Sequence, residues 1–541
     1  MPMRHKRYFL ASLSFLLAAL VGVAGTPAVA APDGAAGTGT GPGRPGGPDR
    51  WVMGGHDLAN SRSNPFERRL GPSNADELAV KWTAATEGDV SATPAVVDGA
   101  VYYPDWGGRF WKVNARTGKV IWSRSVAEYT GIEGAVSRSS PAVVGDTVYI
   151  GTQQGARLLA IDTATGELRW NTPVDDHPYA ILTQSPAVYG GVVYQGVSSD
   201  EETAAGDPDY PCCTFRGSVV AADAATGEVL WKTYTTPEGA EGEDPSDAFS
   251  GAATWSGTPA IDPESGTVYI TTGNNYTVPR SVTDCQEAGG TATECLPPEN
   301  MINSFIALDM RTGEVKWATG QDRFDSWNTG CLPQFPPNNC PIIPGPDHDF
   351  GDGAHLFTLS GGEHGEGRKA VGAGQKSGEY WMLDATTGEV LWSSAVGPGG
   401  EFGGIQWGTA TDGERVYFTE TNINGLPYEL PDGRTIDHSS FGALDPATGE
   451  ILWQVPEPHQ GTATAAVTVA NGVLYASSLN NHMYAFDAAT GELLWDFEGE
   501  GASAAGPAVT GGTVYWGNGY ARIGLGDPSR TFYAFSAPRR R

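Results

Sequence analysis

Apolar positions in this chain fall in short alternating runs, and the runs come in pairs joined by a recurring turn. The stretch "MYAFDAATGELLW" shows the pattern: an alternating segment ends at an aspartate, a connection containing glycine follows, and a second segment ends in tryptophan. Alternation with period two marks a half-buried strand, and glycine supplies the positive φ that a tight connection needs, so each copy predicts a β-hairpin. Versions of "DAATGEVLW" occur seven times, with Gly118, Gly166, Gly227, Gly313, Gly388, Gly449 and Gly491 in the turn. Trp122, Trp170, Trp231, Trp317, Trp392, Trp453 and Trp495 follow four residues later. Upstream of most copies lies another strand pair, as in "PAVVGDTVYIGT" (141–152) and "PAVYGGVVYQGV" (186–197). Each repeat is therefore four strands.

One four-stranded sheet cannot bury both of its faces, and radial stacking of such units gives a β-propeller. The ends set the count. "LAVKW" (78–82) is an outer strand without inner strands of its own, and "PAVTGGTVYWGN" and "FYAFS" near the C-terminus are inner strands without an outer one. Together they complete a blade. With Trp82 added, the 413 positions from Trp82 to Trp495 divide into seven intervals of 59. The predicted fold class is all-β: a single eight-bladed propeller of four-stranded antiparallel blades, closed by pairing N- and C-terminal strands. Long insertions between Gly227 and Gly388 are expected to gather on one face and build a site.

The N-terminus departs from this pattern. Basic "MRHKR", an apolar run from Tyr8 to Val23 and small residues Ala28 and Ala30 predict a secretory signal peptide over 1–30. The Gly/Pro-rich segment 31–50 reads as a disordered linker, which leaves 51–541 for the propeller. No other stretch approaches the roughly 18 apolar residues of a membrane span. A secreted protein, extracellular or periplasmic, meets oxidising conditions, so the six cysteines can form three disulfides. Sequence leaves about 15 connectivities open. The near-neighbour solution is 212/213, 285/295 and 331/340. Acidic residues outnumber basic ones by 63 to 33, a formal charge of −30. Such a surface repels nucleic acid and anionic membrane, so an anionic ligand needs a locally basic pocket.

The opening "WVMGGHDLANSR" (51–62), the Trp-bearing hairpins, "YPCCTFRGSVVAADAATGE" and "TGNNY" resemble the pyrroloquinoline-quinone (PQQ) dependent alcohol dehydrogenases, in particular the polyvinyl alcohol dehydrogenase branch. The resemblance runs from Trp51 to the C-terminus. It implies a quinoprotein that oxidises primary or secondary alcohols with PQQ and calcium. PQQ is a flat tricarboxylated quinone that needs cations, a rigid sandwich for its rings and a Lewis acid at the reactive carbonyl.

On that resemblance Arg138, in "SRSSPAV", matches the family arginine that binds the cofactor carboxylates. Glu201, in "GVSSDEET", and Asn274, in "TGNNY", match the calcium ligands, with Glu202 or Asp200 as alternatives to Glu201. A bridge between Cys212 and Cys213 would close a tight ring, since neighbouring Cα atoms lie about 3.8 Å apart. Family members use such a ring as a lid over the quinone, with a tryptophan beneath, here Trp255. The family's catalytic aspartate lies in a "WD" pair where this chain has Asn328. "GPDHDFGDG" offers a second fit, making Asp347 the expected base, with Asp349 beside it and Asp325 behind it. Lys376 matches the basic residue at the quinone oxygens, and Thr183 and Trp407 fall at blade starts near the axis. No C-x-x-C-H motif occurs, so no covalent haem c is expected and electrons would pass to a separate cytochrome or other acceptor. A monomer is expected. The nine histidines are scattered, with no Cys/His cluster at zinc spacing. The competing reading is a non-catalytic propeller scaffold that binds exported or envelope proteins.

Overall fold

Aspartate and glycine in the repeat act together to make the turn. In "DTATGE", Asp162 Oδ1 accepts from the backbone N–H groups of Ala164 and Thr165 (both 2.9 Å), and Gly166 then turns at φ 71°. The same Asp-to-Thr bonds recur at Asp223, Asp309, Asp384 and Asp487. The strands form eight blades of four antiparallel strands, two of which gain a short fifth strand (Ala180–Ile181 on one, Ser63–Asn64, parallel, on another), in a computed structural model that describes residues 49–239, 247–360 and 367–538.

Blade 1 comprises Ala95–Val97, Ala100–Pro104, Arg109–Asn114 and Val120–Ser125. Blades 2 to 7 follow over 142–173, 187–234, 260–320, 355–395, 410–456 and 468–498. Blade 8 takes Ala508–Thr510, Thr513–Trp516 and Thr531–Ser536 from the C-terminus and its outer strand, Ala79–Ala85, from the N-terminus. The ring is closed as the sequence predicts. The core lies between neighbouring sheets: Tyr417, Phe441 and Trp453 of blade 6 pack with Leu474, Tyr484 and Phe486 of blade 7.

Between blades, the repeat's tryptophan and glycine form an interlock. Trp82, Trp122, Trp170, Trp231, Trp317, Trp392 and Trp453 each donate the indole N–H to a backbone carbonyl of the next blade's turn. Trp495 donates to Leu78 O and closes the circle (2.9 Å). The first seven rings also lie against the next turn's glycine; a Cβ on Gly227 would sit 2.7 Å from the Trp170 indole. Glycine is thus needed twice, for its φ and for its missing side chain.

The segment from Trp51 to Asn64 has no alternation, yet it organises the axis. Trp51 bonds Val96, Val52 O accepts from Val143, Leu58 O from Ile261, Ala59 O from Leu356, Ser61 O from Thr411 and Arg62 O from Val469, while Asn64 Nδ2 donates to Val509 O. It visits the inner strands of blades 1, 2, 4, 5, 6, 7 and 8 in order, across one end of the channel. Arg62, buried there, donates to Val467 O, Gly54 O and Thr93 Oγ1. The six cysteines pair as 212–213, 285–295 and 331–340. The signal peptide expected at 1–30 lies outside the described residues, as does the 31–50 linker apart from Asp49 and Arg50. Among the described residues no helix is long and apolar enough to cross a membrane.

Candidate active site

Opposite the Trp51–Asn64 arc, the axis opens into a cavity walled by connections that enter or leave inner strands. Arg138, Thr183, Trp255 and Trp407 precede the inner strands of blades 2, 3, 4 and 6; Asn274 and Lys376 leave strands of blades 4 and 5. All six line the cavity, as their sequence positions suggest. The insertions supply Glu202, Tyr276 and Asp349.

One side of the cavity is aromatic and cationic. Trp255 and Trp407 meet edge to face at 5.2 Å. The Arg138 guanidinium lies 4.3 Å from the Trp407 ring centre and 5.6 Å from that of Trp106, over which Arg522 also stacks at 4.4 Å. Among the described residues neither arginine has a hydrogen-bonded or ion-paired partner; Asp200, the other acidic alternative to Glu201, lines the same cavity, where burial raises its pKa against the pull of both arginines. Trp407 holds φ at 67°, a conformation that bulky residues rarely adopt and that concentrates at ligand sites.

A buried charge cluster adjoins Trp255. Lys376 Nζ lies 2.9 Å from Asp347 Oδ1, 3.2 Å from Asp349 Oδ2 and 5.5 Å from the Trp255 ring centre. Burial alone would drive the lysine down, but Asp347, Asp349 and Glu202 outweigh it and hold its pKa above the usual value. Asp349 is locked: Oδ1 accepts from Asn274 N–H (2.7 Å) and Oδ2 from Trp255 Nε1 (2.8 Å). Asn274 donates its own amide hydrogens to Asn275 O and Trp327 O, which leaves Oδ1 as its free end. Glu202 carries a buried Oε1 with no partner, and burial pushes it up to about 8 against the pull of Lys376.

Three expectations are displaced. Glu201 does not line the cavity: its carboxylate accepts from Tyr210 Oη, Thr214 N and Phe215 N at 2.8 Å each, with His177 Nε2 at 3.4 Å. Those bonds engage both oxygens from the side away from the cavity and hold its pKa below the usual value despite burial. Glu202, one residue on in the short helix Glu201–Ala204, turns into the cavity instead. The Cys212–Cys213 pair, expected as a lid, is buried in an apolar cluster with Phe215, Ala253 and Tyr276, one layer behind the wall. Asp347, expected as the base, sits behind Lys376, and Asp349 is the aspartate that reaches the cavity. Asp325 is also withdrawn, accepting from Asp347 N, His348 N and Asn303 Nδ2, while burial raises it to about 6. Asn328 pins backbone by donating to Tyr276 O and Asn339 O. Trp106, Tyr276, Tyr520 and Arg522 carried no signal in the repeat, because they sit in connections of differing length.

Two indoles, two arginines without ion-paired partners and a carboxylate–amide cluster thus share the axial cavity of an eight-bladed propeller. A family model described as outer membrane protein assembly factor BamB matches residues 67–205, 303–460 and 376–530. A second, described as the β-propeller domain of glucose/ethanol/alcohol dehydrogenase, matches 171–334. A polyvinylalcohol dehydrogenase of a Pseudomonas species is 30% identical, spanning 88% of this chain and 74% of that one. A second, from a Sphingopyxis species, is 30% identical over 84% and 71%. The crystal structure of the quinohemoprotein alcohol dehydrogenase from Comamonas testosteroni has the same fold, with a TM-score of 0.67, 20% identity and 91% and 81% coverage. The chain belongs to the PQQ-dependent alcohol dehydrogenase family, in its polyvinyl alcohol dehydrogenase branch.

Proposed function

We propose that this protein is an exported quinoprotein dehydrogenase that oxidises primary or secondary alcohols, polyvinyl alcohol among the candidates, using PQQ and calcium. One observation carries the reading: the two arginines and the indoles share the cavity with a cluster in which Glu202 has a buried oxygen without a partner. Arg138 and Arg522 suit the cofactor's carboxylates, and Trp255 and Trp407 its rings. Glu202 and the free Oδ1 of Asn274 offer oxygens of the kind calcium takes, with Asp349 beside them. When bound, PQQ supplies the two-electron acceptor for alcohol oxidation, and calcium the Lewis acidity beside it.

The chain's own groups manage charge and proton. Asp349 is the proton acceptor for the substrate hydroxyl in this scheme, since it is the aspartate at the cavity wall. Lys376 balances the carboxylates and offers positive charge where negative charge develops during oxidation. Asp347 positions Lys376 from behind. Glu201 ties the helix that presents Glu202 to the backbone that follows the cysteine pair. Electrons then leave to a separate acceptor.

The test is a dye-linked oxidation assay on the mature, oxidised protein reconstituted with PQQ and calcium, run with short alcohols and with polyvinyl alcohol. Dye reduction that needs PQQ supports the dehydrogenase. PQQ bound with no dye reduction on any alcohol would favour the scaffold.

A further inference from the structure

Two histidines that sequence leaves far apart meet on the rim of blade 7. His459 stands at the tip of the turn 457–461, which the Glu457 carboxylate organises by accepting from His459 N (2.9 Å) and Gly461 N (2.6 Å). His482 begins the strand His482–Asp487, and Asp496 lies on its neighbour, Leu493–Glu498. The Asp496 carboxylate faces both rings: His459 Nε2 is 2.7 Å from Oδ2, and His482 Nδ1 is 2.6 Å from Oδ1. The imidazoles stack at 3.7 Å between ring centres, with Tyr484 alongside, and Tyr484 Oη donates to Glu457. All three ligand atoms lie within 4.8 Å of one another.

We propose that His459, His482 and Asp496 form a binding site for a divalent transition metal of the zinc and copper class, separate from the axial cavity. Two imidazole nitrogens and one carboxylate are the donor set such ions select, whereas calcium and magnesium prefer oxygen alone. Ligands about 2.0–2.1 Å from a tetrahedral ion stand roughly 3.3 Å apart, so the two carboxylate contacts must open by roughly 0.6–0.7 Å, and the two imidazole nitrogens, within 4.8 Å of each other, must settle at the same spacing. His459, 42% exposed on a turn, can supply that opening, while His482, 15% exposed, is the fixed ligand. The exposed side leaves a coordination position for water.

Such an ion would tie the turn after blade 6 to the strands of blade 7. That connection continues to Thr462 and Thr464, which line the axial cavity, and Thr462 O accepts from Leu479 N (2.8 Å). The site would thereby fix part of the cavity rim, and it stands whether or not the axial cavity holds PQQ.

The experiment titrates Zn(II) into the full mature protein by calorimetry with calcium saturating, and records the electron paramagnetic resonance spectrum of Cu(II) added at one equivalent. The expected result is one Zn(II) equivalent, a Cu(II) spectrum with hyperfine coupling to two nitrogens, and at least tenfold weaker Zn(II) binding in His482→Gln and Asp496→Asn. Unaltered Zn(II) affinity in both variants, or a Cu(II) spectrum without nitrogen coupling, would overturn the site. Zn(II) should also raise the melting temperature of the parent and not of His459→Gln; an equal rise in both would count against it.

Discussion

Replacing Glu202 by glutamine probes the cavity through its most perturbed group. In the native protein Glu202 keeps its proton up to about pH 8, whereas in the unfolded chain it loses it near 4.5. The folded state therefore binds the extra proton between those values, and this contribution to stability is full below about pH 4.5 and lost as pH rises through 8. A difference of about 3.5 pKa units at 1.36 kcal/mol each gives an upper bound of about 5 kcal/mol, and partial solvation of the side chain brings the expected effect to about 2–3 kcal/mol. Glu202→Gln keeps the shape and cannot ionise, so it should remove that slope. Urea unfolding at pH 5, 7 and 9 measures it: the parent should lose about 2–3 kcal/mol more than the variant between pH 5 and pH 9. Calcium should restore the parent at pH 9, by about 2.7 kcal/mol at a hundred times its dissociation constant, and leave the variant almost unmoved. Equal slopes in the two proteins, or equal rescue by calcium, would refute the assignment of Glu202 as a buried carboxylate waiting for a cation.

Other substitutions separate neighbouring roles. Asp349→Asn should lower kcat by about 10²–10⁴, while Asp347→Asn should leave measurable turnover with an altered pH profile; the reverse order in steady-state assays would move the base behind Lys376. Gly227→Ala places a Cβ against Trp170 at φ 77°, and the left-handed backbone and overpacking together should cost about 2–4 kcal/mol in a melting experiment. An unchanged melting temperature would show that the Trp–Gly interlock adds nothing to the ring.

The propeller was legible because its repeat writes the same local physics seven times, with Asp or Asn and Gly making the turn and alternation making the strands, and the unpaired strands at 78–82 and 531–536 close the ring as the eighth blade. What the repeat hid was its partner. Gly227 and Trp231 look like members of one hairpin, but Gly227 packs on Trp170 of the preceding blade. The arc Trp51–Asn64 was legible only as a motif, since it pairs with seven different strands and needs no alternation of its own.

At the site, Arg138, Thr183, Asn274, Trp255, Lys376 and Trp407 could be placed because each adjoins a strand whose position the repeat fixes. Glu201 could not. Within a four-residue helix, adjacent carboxylates point about 100° apart, and whether 201 or 202 faces the axis depends on Tyr210, Thr214 and Phe215 capturing one of them. Asp347, Asp349 and His459 lie in connections, where spacing carries no direction, so the meeting of His459 with His482 at the start of a strand could not be read from the repeat.

Whether the axial cavity holds PQQ is decided by a calorimetric titration of the mature protein with PQQ, with and without calcium, alongside Arg138→Leu. One equivalent should bind, more tightly with calcium. A charge-assisted contact of about 1.5–3 kcal/mol makes the variant about 10–100-fold weaker. Absence of binding under both conditions, or equal affinity in the variant, would contradict the account.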